Sequence, residues 1–214
     1  MAFSKEEIRE LYRKRAKRYD ITANLYYLLG FRETKYRKMA ISRLGLKPGD
    51  ITVEIGCGSG HNFTYVQHYI GETGHLIGVD LTDAMLRQAQ SRIEKHGWKN
   101  IRLVESEAAR YSFPDNINGV FSTFALTLIP EYQTIIEEAS KALVDSGRLV
   151  LLDLKKPQQW PLWLVKFGVA ISRPFGVTLD IADRRPWEAM EPFFRKVTVI
   201  ELYGGFVYIA VGEK

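Results

Sequence analysis

The chain has 214 residues, 46% of them hydrophobic and 26% charged, with 30 Lys and Arg against 25 Asp and Glu. That length and mix describe a folded domain with a core large enough to need no staples, and exclude a disordered or fibrous chain. One cysteine excludes a disulfide framework and a cysteine-rich zinc site.

No basic, apolar, small-residue leader opens the chain, so a secretory signal is not expected. Twelve basic and five acidic residues fall within the first 43 positions, which makes this segment strongly positive and the remainder slightly negative. Such a stretch attracts anionic lipid headgroups or nucleic acid, with a solvated helix face as the plain alternative. Ile8, Leu11, Tyr12, Ala16 and Tyr19 recur at helical intervals, so residues 4–19 read as an amphipathic helix with a basic face. Ser4 and Glu7 have the spacing of a capping box at its start. Leu25 to Phe31 is dense in aromatic and aliphatic side chains. A basic helix followed by aromatics suits a membrane interface, and is equally compatible with a cover over a core.

Residues 34–45 read as a helix ending near Gly45, and Lys47 to Asp50 as a turn. Short apolar runs then alternate with helical patterns. Strands are expected at Ile51–Ile55, Leu76–Val79, Asn100–Val104, Gly119–Thr123 and Arg148–Leu154, and helices at Asn62–Ile70, Thr82–His96 and Tyr132–Leu143. This alternation predicts βαβ units in an α/β doubly wound, mostly parallel sheet. Residues 155–196 form an insert that holds the longest mostly apolar run, Trp160 to Ile171. That run is broken by Lys166 and is shorter than the about 20 residues a membrane-spanning helix needs. Val197–Tyr203 and Phe206–Val211 read as a hairpin around a two-residue Gly204-Gly205 turn, which makes the last strand antiparallel. Two units are expected: basic covering helices over 1–46, and a main domain over 47–214 with a lid at 155–196. The expected location is cytoplasmic, with peripheral contact at the inner face of the cell membrane.

The chemistry concentrates where the first strand ends. Glu54-Ile55-Gly56-Cys57-Gly58-Ser59-Gly60 lies between a strand and a helix, and Asp80 ends the second strand 20 residues after Gly60. Glycines let the backbone turn sharply and approach a ligand, and an acid at that distance can accept from ribose hydroxyls. No register gives the dinucleotide fingerprint G-x-G-x-x-G, because His61 or Phe63 takes the place of the last glycine. The acid at Glu54 suits a ligand carrying an ammonium group rather than a pyrophosphate. Glu107, just past the third strand in Glu105-Ser106-Glu107-Ala108, can accept from an adenine amino group, while Leu81 and Met85 can pack on the ring.

These residues, with Gly78 to Leu86 and Leu143 to Asp153, resemble class I S-adenosylmethionine-dependent methyltransferases through residues 47–154. The resemblance implies a seven-stranded Rossmann-like sheet with a reversed last strand and S-adenosylmethionine at the carboxyl ends of the strands. It implies that Gly56, Gly58 and Gly60 run along the methionine part, that Asp80 holds the ribose, and that Ser106 and Glu107 lie by the adenine. Glu54, Leu81, Met85 and Thr123 complete the implied cofactor set.

Taken whole, the chain resembles bacterial phospholipid N-methyltransferases and their betaine-lipid relatives, and also the quinone-ring methyltransferases. Tyr19-Asp20 and Phe124-Ala125-Leu126 support the group without separating its members. The resemblance implies that Tyr19 lies near acceptor and cofactor as the catalytic candidate; a packed aromatic on a covering helix is an equal reading. The insert carries Trp160, Trp163, Phe167, Phe175, Trp187, Phe193 and Phe194 among Lys155, Lys156, Lys166, Arg173, Arg184 and Arg185. An apolar lid with basic residues fits an amphiphile, with a phosphate on Arg or Lys and an ammonium over an aromatic ring. Arg184 and Arg185 are candidate phosphate contacts or a solvated surface pair.

The expected partners are a lipid or other amphiphilic small-molecule acceptor and an anionic membrane surface, with no nucleic acid. The expected reaction is methylation of a phospholipid headgroup amine such as that of phosphatidylethanolamine. The alternative is C- or O-methylation of a prenylated quinone precursor or another small acceptor. Cys57 fills a place that needs a small residue and is not expected to act as a nucleophile. The four histidines show no metal-ligand spacing, so no metal is expected; His61 borders the glycine turn, where it can serve as a base or as structure.

Overall fold

Short runs of branched and aliphatic residues between tight turns become the strands of one seven-stranded sheet. The computed structural model describes residues 5–15, 30–157, 160–161, 181 and 183–214. Its regular elements, in chain order, are helix α1 (Lys5–Arg15), α2 (Glu33–Ser42), strand β1 (Ile51–Ile55), α3 (Phe63–Ile70), β2 (His75–Asp80), α4 (Asp83–His96), β3 (Ile101–Glu105), β4 (Ile117–Thr123), α5 (Tyr132–Ala142), β5 (Leu143–Leu154), β6 (Lys196–Leu202) and β7 (Val207–Glu213). The strand order is β3-β2-β1-β4-β5-β7-β6. Neighbours from β3 to β5 are parallel, and β7 runs against both β5 and β6. This is the doubly wound α/β sheet with a reversed last strand that the alternating pattern implies.

The chain winds outward from β1 in both directions, so the crevice between β1 and β4 opens at their carboxyl ends, where such sheets bind ligands. One face of the sheet packs Phe121, Val150, Leu152 and Ile209 against Ile41 of α2, Phe63 and Val66 of α3 and Ala89 of α4. On the other face, Val53, Ile55, Val120 and Leu151 meet Ile135, Ile136 and Ala139 of α5, with Met190 and Phe194. Each central strand therefore buries both of its faces, which is why its sequence reads as continuous rather than alternating hydrophobicity.

Several boundaries differ from the sequence pattern. The helix expected over 34–45 spans Glu33–Ser42. β5 begins at Leu143 rather than Arg148, and its register against β4 shifts between Ile117 and Gly119. The expected two-residue hairpin turn is a four-residue connection, because Leu202 pairs with Val207. Tyr203, Gly204 and Gly205 all adopt positive φ there, while Phe206 leaves the ladder to stack on Trp160, with ring centroids 5.7 Å apart. Of the expected 4–19 helix, Ser4, Ala16 and Tyr19 lie outside the described residues, as do Asp20, Leu25 to Leu29, Trp163, Lys166, Phe167, Arg173 and Phe175. No helix among the described residues is long and apolar enough to cross a membrane.

Two arginines fasten α1 to the main domain. Arg9 pairs with Glu105 at the end of β3 at 2.9 Å, and Arg13 pairs with Asp83 at the start of α4 at 2.8 Å. Arg13 and Arg87 together hold the Asp83 carboxyl well below the usual carboxylate range. Part of the basic face expected to meet anionic lipid is thus turned onto two carboxylates. These pairs are exposed, and such pairs add little to global stability while still setting geometry. Replacing both acids, as Asp83→Asn with Glu105→Gln, should raise amide hydrogen exchange severalfold across residues 5–15 and leave the thermal midpoint of the sheet nearly unchanged.

Candidate functional site

The backbone leaves β1 at Gly56, whose N–H and that of Cys57 both donate to the Val79 carbonyl, at 2.8 and 3.0 Å. Gly56 has φ +70°, and a Cβ on it would lie 2.3 Å from Ala125 Cβ. No larger residue fits there, because β1 and β4 exit the sheet side by side. Gly58 then turns its N–H onto Asp80 Oδ2 at 2.8 Å, and Asp80 Oδ1 accepts from Thr82 N–H at 2.9 Å. Burial pushes the Asp80 carboxyl up, opposed by these backbone donors. One carboxylate therefore shapes the loops after β1 and β2 at once, and each of its oxygens keeps acceptor capacity for a further hydroxyl.

A cleft of about 1030 Å³, counted together with the open solvent at its mouth, occupies the crevice above these loops. Gly56, Gly58, Asp80, Leu81, Met85, Ser106, Glu107 and Thr123 line it, so eight of the ten expected cofactor positions converge on one space. Gly60 and Glu54 are not among the lining residues. Phe124, Ala125, Leu128, Ile129 and Pro130 give the cleft an apolar wall, and Arg37, His61 and Glu131 also line it. Phe124 holds φ +55°, a strained value for an aromatic residue, which marks a position fixed by its surroundings. Phe31 packs on Phe124, Tyr36 and Tyr203, with ring centroids 5.8, 5.6 and 5.6 Å away.

Glu54 lies beneath the glycine turn and does not line the cavity. Its side chain is fully buried behind the cavity, Oε1 accepts from Asn62 Nδ2 at 2.5 Å, and Oε2 makes no hydrogen bond. Burial pushes its carboxyl up to about 8, against the pull of Asn62 and Arg37. Asn62 Nδ2 also donates to Thr123 Oγ1 at 2.8 Å, and Arg37 Nη1 donates to the same hydroxyl at 2.5 Å. Arg37 is itself buried, paired with Glu33 at 2.6 Å, and its guanidinium carbon lies 5.1 Å from the Phe124 ring centroid. Glu33, Arg37, Thr123, Asn62 and Glu54 thus form one polar chain from the covering helix to the first strand.

The sequence pattern does not single out Arg37 and Asn62, whose partners lie far along the chain. The signal was present for Arg37, which sits three and four residues before buried Ala40 and Ile41, on the apolar face of α2. A charge on that face has to meet a buried partner.

Tyr19, the catalytic candidate, lies outside the described residues. Arg184 and Arg185, the candidate phosphate contacts, have other partners: Arg184 donates to the Thr127 carbonyl at 2.7 Å, and Arg185 pairs with Glu188 at 2.9 Å. Among the described lid aromatics, Phe194 is buried in the core, Trp160 and Trp187 are half-buried against it, and Phe193 is exposed. Trp187 packs on Tyr208, and Trp160 on Phe206. Lys155 is buried, paired with Glu201 and set over Trp187. Burial pushes the Cys57 thiol well up, consistent with a space-filling role.

The family model described as the ubiE/COQ5 methyltransferase family matches residues 1–167. The chain is 26% identical over 157 residues to a demethylmenaquinone methyltransferase of Geobacillus sp. (strain WCH70), covering 72% of this chain and 66% of that protein. It is 26% identical over 156 residues to the Staphylococcus aureus (strain JH9) enzyme of the same name, covering 72% and 63%. The match thus spans just under two thirds of the length of these relatives. Among solved structures, a SAM-dependent methyltransferase from Aquifex aeolicus is similar at TM-score 0.58 and 22% identity, over 82% of this chain and 88% of that one. Haemonchus contortus phosphoethanolamine N-methyltransferase 2, in complex with phosphomonomethylethanolamine and S-adenosylhomocysteine, is similar at TM-score 0.61 and 21% identity, over 77% and 38%. At these identities the likeness shows the fold.

The buried acid gives a pH signature. Folded Glu54 titrates at about 8 and an unfolded glutamate at 4.5. The folded state therefore binds the proton more tightly. Its contribution to stability is complete below the unfolded value and is lost as pH rises through the folded one. Glu54→Gln should flatten the loss of stability between about pH 5 and about pH 8 by on the order of a few kcal/mol, read by urea unfolding across that range.

Proposed function

The chain belongs to the ubiE/COQ5 methyltransferase family, and on that premise we propose that it is an S-adenosylmethionine-dependent methyltransferase acting on a prenylated quinone precursor. One observation carries the reading. A single cavity runs from a nucleoside-type end, at Asp80 and Glu107, to an apolar wall of Phe124, Ala125, Leu128, Ile129 and Pro130. A flat ring with an isoprenoid tail is the kind of acceptor such a wall accommodates.

The residues present fit the cofactor. Asp80 has acceptor capacity toward two ribose hydroxyls, and Glu107 with the backbone of Ser106 and Ala108 offers polar edges to an adenine. Leu81 and Met85 supply apolar cover, and the loop from Gly56 to Ser59 lets the methionine portion lie against backbone. Bound there, the cofactor supplies a methyl group already activated on a positively charged sulfur. The protein then has to align the acceptor, keep water out and remove one proton. His61 and Glu131 line the cavity and are the described side chains suited to take a phenolic proton from a ring acceptor. Arg37, through Thr123, keeps the end of β4 in place beside them.

The demethylmenaquinone methyltransferases among the relatives give the quinone acceptor more support than a phospholipid amine. The basic helix, which motivates the amine reading, spends Arg9 and Arg13 on Glu105 and Asp83. A prenylated acceptor resides in a membrane, so contact with an anionic lipid surface belongs to the same proposal.

Labelled cofactor, offered demethylmenaquinol and phosphatidylethanolamine in the same vesicles, should pass its methyl group to the quinol. Transfer to the phospholipid alone would reverse the choice of acceptor, and transfer to neither would reject both. Asp80→Asn should weaken binding of S-adenosylhomocysteine roughly tenfold or more by calorimetry, the scale of a lost charge-assisted hydrogen bond. Unchanged affinity would remove Asp80 from the cofactor site.

A further inference from the structure

The loop that follows β4 contains one residue held at all three of its polar groups. Thr127 donates its N–H to Asp153 Oδ2 at 2.9 Å. Its carbonyl accepts from Arg184 Nη1 at 2.7 Å, and its hydroxyl lies 3.5 Å from that of Tyr208. Asp153 comes from β5, Tyr208 from β7 and Arg184 from the stretch that precedes β6, so three separate parts of the chain converge on one threonine. Thr127, Asp153 and Tyr208 are all buried. The other Asp153 oxygen accepts from Leu154 N–H at 2.9 Å.

A buried carboxylate carries a desolvation cost that an aliphatic residue at the same strand position would avoid. The sheet does not need it, since β5 and β7 pair through their backbones along the whole register from Arg148 to Leu154. What the carboxylate fixes is the loop. Leu128, Ile129 and Pro130, directly after Thr127, line the cavity, while Asp153, Tyr208 and Arg184 do not. Leu128 also packs with Ile181 and Leu154, which binds the same wall to the insert.

We propose that Asp153, Tyr208 and Arg184 are positioning residues that act through Thr127 to set the apolar wall against which the acceptor ring lies. The inference deepens the methyltransferase reading and rests on it for its kinetic consequence, whereas the hold on the loop stands independently of any substrate.

Burial pushes the Asp153 carboxyl up to about 6. The groups around it are the Tyr208 hydroxyl, itself pushed well up, with Tyr132 of α5 nearby; the Arg184 guanidinium on the far side of Thr127; and Lys155, two residues on and paired with Glu201. Protonation leaves the carboxyl with one acceptor fewer for two backbone donors. The hold on the Thr127 N–H therefore weakens as pH falls through about 6.

The test uses the full chain. In Asp153→Asn, amide exchange across residues 126–130 should rise, S-adenosylhomocysteine affinity should stay within about twofold, and the acceptor KM should rise about tenfold, the scale of a bond to a charged group. Arg184→Gln, altered at a half-buried position, should give the same pattern more weakly, and Arg184→Lys should restore most of it; this pair keeps the test open if Asp153→Asn does not fold. The wild-type acceptor KM should rise below about pH 6 and that of Asp153→Asn should not. Unchanged exchange over 126–130 in the variants would overturn the proposal, as would a loss confined to kcat or to cofactor affinity. A wild-type protein inactive on quinols whose variants still loosen this loop would reject the acceptor reading and keep the positioning role.

Discussion

The Asp80 carboxylate takes one backbone N–H from the loop after β1 and another from the loop after β2. Without that double acceptance neither loop has a reason to stay open beside the other, and the crevice at the switch point would have no defined floor. The arrangement requires glycine at 56, where β1 leaves the sheet against Ala125, and a donor free to turn inward at 58. The pocket follows from this constraint. Its end at Asp80 and Glu107 is built where strands terminate, while its apolar end is built on a loop that needs its own anchors. The two ends of one cavity are thus specified by different physics: backbone geometry at the first, and buried polar contacts behind an apolar surface at the second.

Most of the sheet was legible in the sequence because the central strands bury both faces and therefore read as short apolar runs between turns. The glycine turn and Asp80 were legible for the same local reason, since they lie within one strand-turn-helix unit and its successor. What stayed hidden depended on contacts between distant parts of the chain. Arg37 and Asn62 are 25 residues apart, and both meet Thr123, which is 86 residues from Arg37. Spacing within a single helix cannot reveal such a meeting, although an arginine on the apolar face of α2 was a visible anomaly. The hairpin connection is two residues longer than its Gly-Gly pair predicts because Phe206 leaves the ladder for a tertiary stack on Trp160, and local turn preference carries no record of that pull.

The polar chain from Glu33 to Glu54 changes the meaning of the covering helices. Charge counting separates a basic N-terminal segment from the main domain. The structure joins them through a buried guanidinium that meets Thr123 at the cavity and Asn62 at the head of α3. α2 is therefore part of the site's framework rather than an appendage. The first helix has a different status, since exposed ion pairs at the lips of the cleft hold it. The two helices read alike in composition and differ in how much of the molecule depends on them.

The contacts behind the apolar wall draw on residues that the family resemblance does not reach. The family match ends at residue 167, yet Arg184, Tyr203 and Tyr208 stand behind Thr127, Phe31 and the cavity face they support. The wall itself, from Phe124 to Pro130, and Asp153 lie within the matched residues, whereas two of the wall's supports lie beyond them. Drift in the C-terminal fifth can therefore move one wall of the cavity while the two loops gathered by Asp80, which lie entirely within the shared portion, are passed on unaltered.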